Sequence, residues 1–325
     1  AAMAEFDLIE LIKRRCPKAR ADVRLGIGDD AAVVSVPVGH ELVCSVDTLV
    51  AGVHFPLDTD AADLGWKSLA VNLSDLAAMG ATPAWALLSL TLPTADADFV
   101  SRFVDGFAEL AALHQLDLIG GDTTRGPLSI TVAVHGIVPS GRALRRDAAG
   151  IGDGVFVSGT LGDAAGGLRC LQAQLAKDSA MDAACATLMA RLNRPSPRVA
   201  AGLALLDLAH ACIDVSDGLL ADLGHVARAS GVGIEIEEDG LPGSTALFEC
   251  FDVDTARALQ LHGGDDYELA FTVAEAQIAA MQAAMSKAGC RVSRIGRVIA
   301  GAGVHVLDRK GDRKHIQGKG WEHFA

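Results

Sequence analysis

Aromatic residues are scarce in this sequence, and long apolar runs are absent from it. Only 4% of the 325 residues are Phe, Trp or Tyr, whereas 50% are hydrophobic. The core must therefore be built from Ala, Val, Leu and Ile, and the composition is typical of a globular protein. No apolar run reaches the ~18 residues that a membrane-spanning helix needs, and the N-terminus lacks a basic segment followed by an apolar one. We expect a soluble, cytoplasmic protein of about two domains, at the usual ~150 residues each.

Paired cysteines and excess positive charge are also lacking. The seven cysteines are scattered without a CxxC pair, which favours small apolar core residues over disulfides or a zinc site. The net charge of −13 argues against nucleic acid or an anionic membrane as a partner, since both require basic patches. An acidic protein can still bind phosphates when metal ions lie between the two.

The two common phosphate-loop fingerprints are missing as well. Neither G-x-G-x-x-G nor G-x-x-x-x-G-K-[ST] occurs in the chain. The most glycine-rich segment, 159–167, is therefore interpreted as a tight structural turn. The shorter segment 120–124 (GGDTT) is interpreted as a turn in which Gly121 lets backbone N–H groups approach a phosphate while Asp122 holds its metal.

Patterns typical of helices and strands alternate along the chain. Helices are predicted over 61–79 and 96–114, strands over 84–92 and 129–138, and the second half repeats the rhythm. This alternation predicts a mixed α/β (α+β) fold in which each domain is a mixed sheet packed with helices.

Domain limits and one strand pairing follow from turn residues. The Pro-, Gly- and Arg-containing segment 139–154 is the best boundary, so we expect domains over 1–138 and 139–325, with the active site in the cleft between them. Strands over 31–36 and 41–46, joined by a Pro/Gly connection, are expected to form a hairpin with acidic residues at one end.

Single carboxylates recur where apolar runs end. Asp47 follows such a run, and a buried carboxylate must be hydrogen-bonded or bind a cation, because an unpaired charge costs several kcal/mol or more. Similar settings hold Asp29, Asp30, Asp75, Asp122, Asp214, Asp217, Asp265 and Asp266. Carboxylate-rich sites without His or Cys select hard cations, and this pattern favours Mg²⁺ over zinc. For Asp75 and Asp217 taken alone, a structural hydrogen bond or a helix cap remains an alternative.

Several Mg²⁺ ions would suit phosphoryl transfer, which needs chiefly positioning and charge neutralisation. Arg146, in an arginine-rich segment, is a candidate bidentate phosphate clamp. Ser216 lies at a predicted helix entry, where exposed N–H groups attract phosphate oxygens. Trp321, in a polar tail, is a candidate platform for a flat or cationic ligand.

Seven short motifs, each weak alone, are highly specific in their order. They are GIGDDA (26–31), SVDTLVAGVHF (45–55), NLSDLAAMG (72–80), GGDTT (120–124), SGTLGD (158–163), DVSDG (214–218) and GDDYE (264–268). On these motifs the chain resembles the thiamine-monophosphate kinases, of the superfamily that includes aminoimidazole ribonucleotide synthetase and selenophosphate synthetase. The resemblance runs over about residues 5–321. It implies a homodimer that uses ATP to phosphorylate thiamine monophosphate to thiamine diphosphate by direct in-line transfer.

The resemblance also implies roles for individual residues. The Mg²⁺ ligands would be Asp30, Ser45, Asp47, Asp75, Asp122, Asp214 and Asp217. ATP would be contacted by Gly121, Asp122, Arg146 and Ser216. The thiamine moiety would be held by His54, Glu268 and Trp321, with Trp321 stacked on a ring. Because the acceptor is itself an anionic phosphate at pH 7, no residue is expected to act as a general base.

Two other functions fit part of this pattern. Another ATP-using member of the superfamily, for instance a selenophosphate-synthetase-like enzyme, would need a reactive Cys in a glycine-rich N-terminal segment. Cys16, next to Pro17, has no such setting. A non-catalytic nucleotide or metal sensor would keep the fold, and only the intact acidic set argues against it.

Overall fold

The computed structural model describes residues 5–177 and 183–314, so Trp321 lies outside the described residues. The chain divides into two compact units. The first unit comprises the residues up to Leu76 together with Ala81–Gly141, and the second comprises Ala77–Gly80 and the residues from Arg142 onward.

The first unit is built on a four-stranded sheet with strand order β3-β6-β4-β5. Neighbours are antiparallel except for β4 and β5, which run parallel. Its elements, with α2 extending into Ala77 and Ala78, are α1 (Glu5–Arg15), β1 (Val23–Leu25), β2 (Val33–Val34), β3 (His40–Val50), α2 (Ala61–Ala78), β4 (Thr82–Leu92), α3 (Ala97–Leu113), β5 (Asp117–Arg125) and β6 (Ser129–Pro139).

Helices α2 and α3 pack against each other with their backbones in close approach. A Cβ atom on Gly65 would lie 1.8 Å from the carbonyl oxygen of Phe103, and one on Gly106 would lie 1.9 Å from that of Ala62. A larger residue at either position would force the helices apart. The Asp96 carboxylate caps α3 by accepting from the N–H groups of its first turn.

The predicted hairpin of 31–36 with 41–46 is wrong. Strand β2 pairs with β1, whereas β3 pairs with β6 along its whole length. The physical reason is length and donor supply: β6 offers eleven residues to match β3, while segment 31–36 is followed by Pro37, which has no N–H to donate to a ladder.

The second unit contains a six-stranded sheet with strand order β12-β9-β11-β7-β10-β8, antiparallel except for the β12–β9 pair. Its elements are β7 (Gly154–Ser158), α4 (Asp163–Lys177), α5 (Ala183–Asn193), α6 (Val199–Ala204), β8 (Ala211–Asp214), α7 (Leu219–Ser230), β9 (Gly233–Glu237), α8 (Thr245–Cys250), α9 (Val253–His262), β10 (Leu269–Val273), α10 (Ile278–Lys287), β11 (Val292–Ile299) and β12 (Gly303–Leu307). Strands β7 and β10, in the interior of the sheet, and β8, at its edge, are buried at every position.

The prediction of a mixed α+β fold, with sheets packed by helices, is confirmed. Among the described residues, no helix combines the length and the apolar character needed to cross a membrane.

Candidate active site

In the first unit, the structure brings Ser45 and Asp75 together. Ser45 lies in the middle of β3 and Asp75 lies near the C-terminal end of α2, and the Ser45 hydroxyl donates a hydrogen bond of 2.5 Å to Oδ2 of Asp75. Asp47 follows two residues later on β3, so its side chain lies on the same face of the strand as Ser45. All three are half-buried. This arrangement offers oxygen ligands that are held in place but still reached by solvent.

Asp30 and His54 lie in turns of the first unit. Asp30 is exposed between β1 and β2, and its N–H donates to the neighbouring Asp29 carboxylate at 2.8 Å. Nδ1 of His54 accepts a hydrogen bond of 3.0 Å from the N–H of Val50. In the neutral ring the proton therefore lies on Nε2, which makes His54 a hydrogen-bond donor through that atom.

The predicted turn at 120–124 is wrong, because β5 runs straight through it. Gly121 has a φ of 152°, and a Cβ atom there would lie 1.7 Å from the carbonyl oxygen of Leu88 on β4. Glycine is thus required at this point by the close approach of two strands rather than by a turn. Asp122, the next residue of the strand, is exposed.

Asp47 and Asp122 lie on the two edge strands of the four-stranded sheet, β3 and β5. Neighbouring strands are ~4.8 Å apart, so three strand spacings separate these residues by roughly 14 Å. A Mg²⁺ ion holds its ligands at about 2.1 Å. One ion cannot reach both carboxylates, and each would have to serve a different ion.

In the second unit, the loop between β8 and α7 carries Asp214, Ser216 and Asp217. Asp214 ends β8 and is buried, while the other two are half-buried. The N–H groups of residues 216, 217 and 218 all donate to Oδ2 of Asp222, at 3.0, 3.1 and 3.1 Å. These three N–H groups, which the sequence suggested as phosphate ligands, are therefore occupied by a carboxylate of the first turn of α7.

Asp222 is the residue that sequence reasoning missed. It fixes the loop that holds the predicted ligands, and the only signal for it in the sequence is an acidic residue four positions after Gly218. Burial, and then the nearby Asp217 carboxylate, raise the pKa of Asp222 to about 7 although three N–H groups oppose the shift. The Asp222 carboxylate thus stabilises the loop through three hydrogen bonds, although its burial removes water from the charged group.

Two of the sequence motifs form one double loop in the second unit. The N–H of Asp265 donates to the carbonyl of Ser216 at 2.9 Å, and the N–H of Tyr267 donates to that of Val215 at 2.8 Å. Asp265 and Tyr267 have φ values of 66° and 50°, in the left-handed region that costs a non-glycine residue about 1–3 kcal/mol. Such strain is retained where the surrounding structure requires it, and it clusters at functional sites.

Glu268 closes the double loop with a fully buried side chain. Its carboxylate accepts from the Ser158 hydroxyl at 2.6 Å, from Nη2 of Arg191 at 2.9 Å, and from Nε and Nη2 of Arg198 at 2.6 and 2.5 Å. Both oxygens are thus engaged by protein donors. This is the geometry of a structural anchor, and the contact to thiamine stays a prediction.

The glycine-rich segment 159–167 forms the predicted structural turn only over residues 159–162, because α4 begins at Asp163. The N–H of Gly159 donates to the carbonyl of Arg291, and the N–H of Gly162 donates to the Asp266 carboxylate at 2.7 Å. Asp266 is itself buried, and burial raises its pKa well above the usual range. The N–H groups of Gly159 and Gly162 are thus used to stabilise the fold.

Arg146 is the arginine of its segment that remains exposed without a carboxylate partner among the described residues. Arg142 pairs with Asp207, and Arg145 pairs with Asp147 at 2.9 Å through Nε. The Ser230 hydroxyl donates a hydrogen bond of 3.1 Å to the backbone carbonyl of Arg146. This contact involves the main chain and not the guanidinium. An exposed guanidinium of this kind can donate two hydrogen bonds to a phosphate, and the ATP contact of Arg146 stays a prediction.

The sequence matches models of a known protein family over both units. Residues 28–138 match the AIR synthase related protein, N-terminal domain, and residues 150–309 match the AIR synthase related protein, C-terminal domain. Thiamine-monophosphate kinase of Escherichia coli (strain K12) is 48% identical over 324 residues, which cover 100% of this chain and 99% of that protein.

Solved structures agree with the sequence match. The crystal structure of thiamine-monophosphate kinase from Stenotrophomonas maltophilia K279a is 53% identical with a TM-score of 0.87, covering 94% of this chain and 97% of that one. AaThiL complexed with AMPPCP and TMP is 35% identical with a TM-score of 0.79, covering 98% and 97%. On this full-length similarity, the chain belongs to the thiamine-monophosphate kinase family of the AIR synthase related proteins.

Proposed function

We propose that this protein transfers the γ-phosphoryl group of ATP to thiamine monophosphate, which gives thiamine diphosphate and ADP. The observation that carries the proposal is the end-to-end similarity to thiamine-monophosphate kinases, one of which is complexed with AMPPCP, an ATP analogue, and TMP.

Mg²⁺ is the ion that the proposed ligands fit. The set contains only carboxylates and one hydroxyl, without thiol or imidazole, which are the oxygen ligands that Mg²⁺ prefers. Its members are Asp30, Ser45, Asp47, Asp75, Asp122, Asp214 and Asp217. When bound, Mg²⁺ would neutralise the charge of the phosphates. Ser45 directs its proton to Asp75, so the lone pairs of its oxygen remain to serve as a ligand. The roughly 14 Å between Asp47 and Asp122 favours more than one ion.

The residues around the phosphates would bind and orient rather than move protons. The acceptor oxygen belongs to a phosphate that is already anionic, so in-line attack needs no general base. Arg146, with an exposed guanidinium, is the proposed bidentate partner of the ATP phosphates. Gly121, Asp122 and Ser216 are each proposed as further contacts to ATP. Asp222, which holds the loop of Ser216, would be a positioning residue for that contact.

The thiamine moiety is assigned to three residues with different tasks. His54 would donate from Nε2, since its Nδ1 is engaged by the Val50 N–H. Trp321 would stack on the thiazolium or pyrimidine ring as a cation–π or stacking platform. Glu268 would act through the double loop that it anchors, because its carboxylate is engaged by Ser158, Arg191 and Arg198.

A second copy of this chain is the proposed protein partner. Leu42 and Val46, on one face of β3, are 42% and 60% exposed, and an apolar sheet face of this kind favours burial against another subunit. Val46→Asp should convert a dimer to a monomer in analytical ultracentrifugation, whereas Val38→Asp, at a fully exposed loop residue, should leave the mass unchanged. A monomeric wild-type protein, or a dimeric Val46→Asp variant, would refute this interface.

The activity itself is tested with purified protein, ATP, Mg²⁺ and thiamine monophosphate. Thiamine diphosphate and ADP should appear in equal amounts, as measured by chromatography. Replacing thiamine monophosphate by thiamine should stop ADP formation, because the acceptor must be a phosphate. A folded protein that binds ATP without forming either product would instead be a sensor with the same fold.

A further inference from the structure

Three cysteines that are distant in the sequence meet in the second unit. Cys170 lies on α4, Cys185 on α5, and Cys250 ends α8. Their sulfur atoms all lie within 4.8 Å of one another, and the Sγ atoms of Cys185 and Cys250 are 3.7 Å apart. The sequence has no CxxC spacing that would predict this group, because each of the three helices contributes a single thiol.

The distances match those of a thiolate metal site. In tetrahedral coordination with Zn–S bonds of about 2.3 Å, neighbouring sulfurs are about 3.8 Å apart. The Cys185–Cys250 separation already has that value. Movements of about 1 Å would bring the third sulfur to the same spacing, which is within the range of side-chain rotation on three separate helices.

The surroundings also suit a thiophilic ion. Leu188, Leu247 and Leu259 belong to the same apolar cluster as the thiols, so the three sulfur atoms lie in apolar surroundings. Cys170 is buried, while the other two are half-buried, which leaves a side from which an ion and one water molecule can enter. Burial and hydrogen bonds with the other two thiols raise the pKa of Cys170, but a coordinated dication removes the proton of a thiol outright.

We propose that Cys170, Cys185 and Cys250 form a three-thiolate site for Zn²⁺ or another thiophilic d¹⁰ cation, with water as the fourth ligand. Binding would replace three S–H bonds by three metal–sulfur bonds and release three protons, without any change in oxidation state. The site is distinct in chemistry from the carboxylate residues proposed for Mg²⁺, because Mg²⁺ does not take sulfur ligands. It would tie α4, α5 and α8 together.

Cadmium is the probe that separates this site from oxygen sites. The reduced, metal-free full chain is titrated with Cd²⁺ in the presence of excess Mg²⁺, which occupies carboxylate sites. We expect one Cd²⁺ per chain with an ultraviolet sulfur-to-cadmium charge-transfer band, and three protons released per ion. Cd²⁺ binding without that band would overturn the proposal.

Variants identify the ligands. Cys185→Ser and Cys250→Ser should each lose about a third of the band and weaken Cd²⁺ binding at least about tenfold, since even loss of a group behind a ligand costs 10–100-fold. Cys44→Ser, at an exposed cysteine of the first unit, is the matched control and should bind as the wild type does. Equal effects in all three variants, or full binding in the first two, would overturn the proposal.

A measurement on the wild-type protein tests the site even if the variants do not fold. One equivalent of Zn²⁺ should protect three of the seven cysteines from a thiol reagent, and a hundredfold excess over Kd should raise Tm by about 5–10 °C. If Zn²⁺ protects no thiol of the folded wild-type chain, the cluster is a packing feature and no metal site.

Discussion

Replacement of Glu268 by glutamine separates an anchoring role from a substrate-binding role. The change keeps the shape of the side chain but removes its charge and turns an acceptor oxygen into an NH₂ donor. In the wild type, the fully buried carboxylate accepts two hydrogen bonds from Arg198, at 2.6 and 2.5 Å, and one from Arg191 at 2.9 Å. In the variant, guanidinium donors would face an amide donor.

The expected loss of stability follows from the burial of the two partners. Breaking a buried ion pair costs about 3–5 kcal/mol. The side chains of Arg191 and Arg198 are 22% and 26% exposed, so water compensates them in part and we expect the lower end, about 3 kcal/mol. At 2–4 °C per kcal/mol for a unit of this size, Tm should fall by about 6–12 °C.

Urea unfolding followed by circular dichroism measures this loss. Glu275→Gln is the control, because Glu275 and its partner Arg294 are exposed and such pairs contribute less than about 1 kcal/mol. Kinetics on the folded fraction complete the test. If Glu268→Gln unfolds at the wild-type urea concentration while KM for thiamine monophosphate rises, Glu268 contacts the substrate and the anchoring role is refuted.

Three further changes test the residues placed by the structure. Asp75→Asn keeps an acceptor for Ser45 but loses the charge, so the Mg²⁺ concentration for half-maximal activity should rise at least about tenfold; an unchanged Mg²⁺ dependence would make Asp75 purely structural. Asp222→Ala leaves three N–H groups without an acceptor and should cost about 2 kcal/mol in urea unfolding and weaken ATP binding, with Asp222→Asn intermediate; equal ATP affinity in all three proteins would contradict the positioning role. Gly121→Ala should destabilise the protein by about 3 kcal/mol or more, because its Cβ would lie 1.7 Å from a backbone oxygen, whereas Gly120→Ala meets only a Leu87 methyl at 3.1 Å and should cost less than about 1 kcal/mol; equal stability of the two variants would refute the close-approach argument.

Local patterns were sufficient for much of the fold. The helix predicted over 96–114 is observed as Ala97–Leu113, because a capping carboxylate at Asp96 and an apolar stripe are both encoded within the segment itself. The strands predicted over 84–92 and 129–138 are likewise observed as β4 and β6. The mixed α+β class follows from these periodicities.

Pairing between distant segments could not be predicted in the same way. The partner of β3 depends on which strand offers an equally long ladder, and the paired residues of β3 and β6 are 79 to 99 positions apart in the chain. Glycine has two uses, positive φ and close approach, and at Gly121 the sequence could not tell a turn from contact with a neighbouring strand. The strand order across the sheet decides which is correct.

Side-chain constellations were the least predictable part of the candidate site. Ser216 and Asp217 were predicted as ligands from their place at a helix entry and from the motif that they share with the family. Asp222 was not, because its task depends on the path of the backbone before α7. Glu268 was predicted from its motif, yet its partly buried partners, Arg191 and Arg198, are 77 and 70 residues away in the chain.

Hydrogen bonds join segments 215–217 and 265–268. The two loops should therefore open together, and their amides should exchange with solvent in the same opening event. An amide at Tyr267 cannot reach solvent until its bond to the Val215 carbonyl breaks, and the same separation exposes the N–H of Asp265. Any ligand held by Asp217 or Ser216 would therefore slow exchange at residues 265 and 267 without touching them. Exchange rates at these two amides would report occupancy of the neighbouring loop.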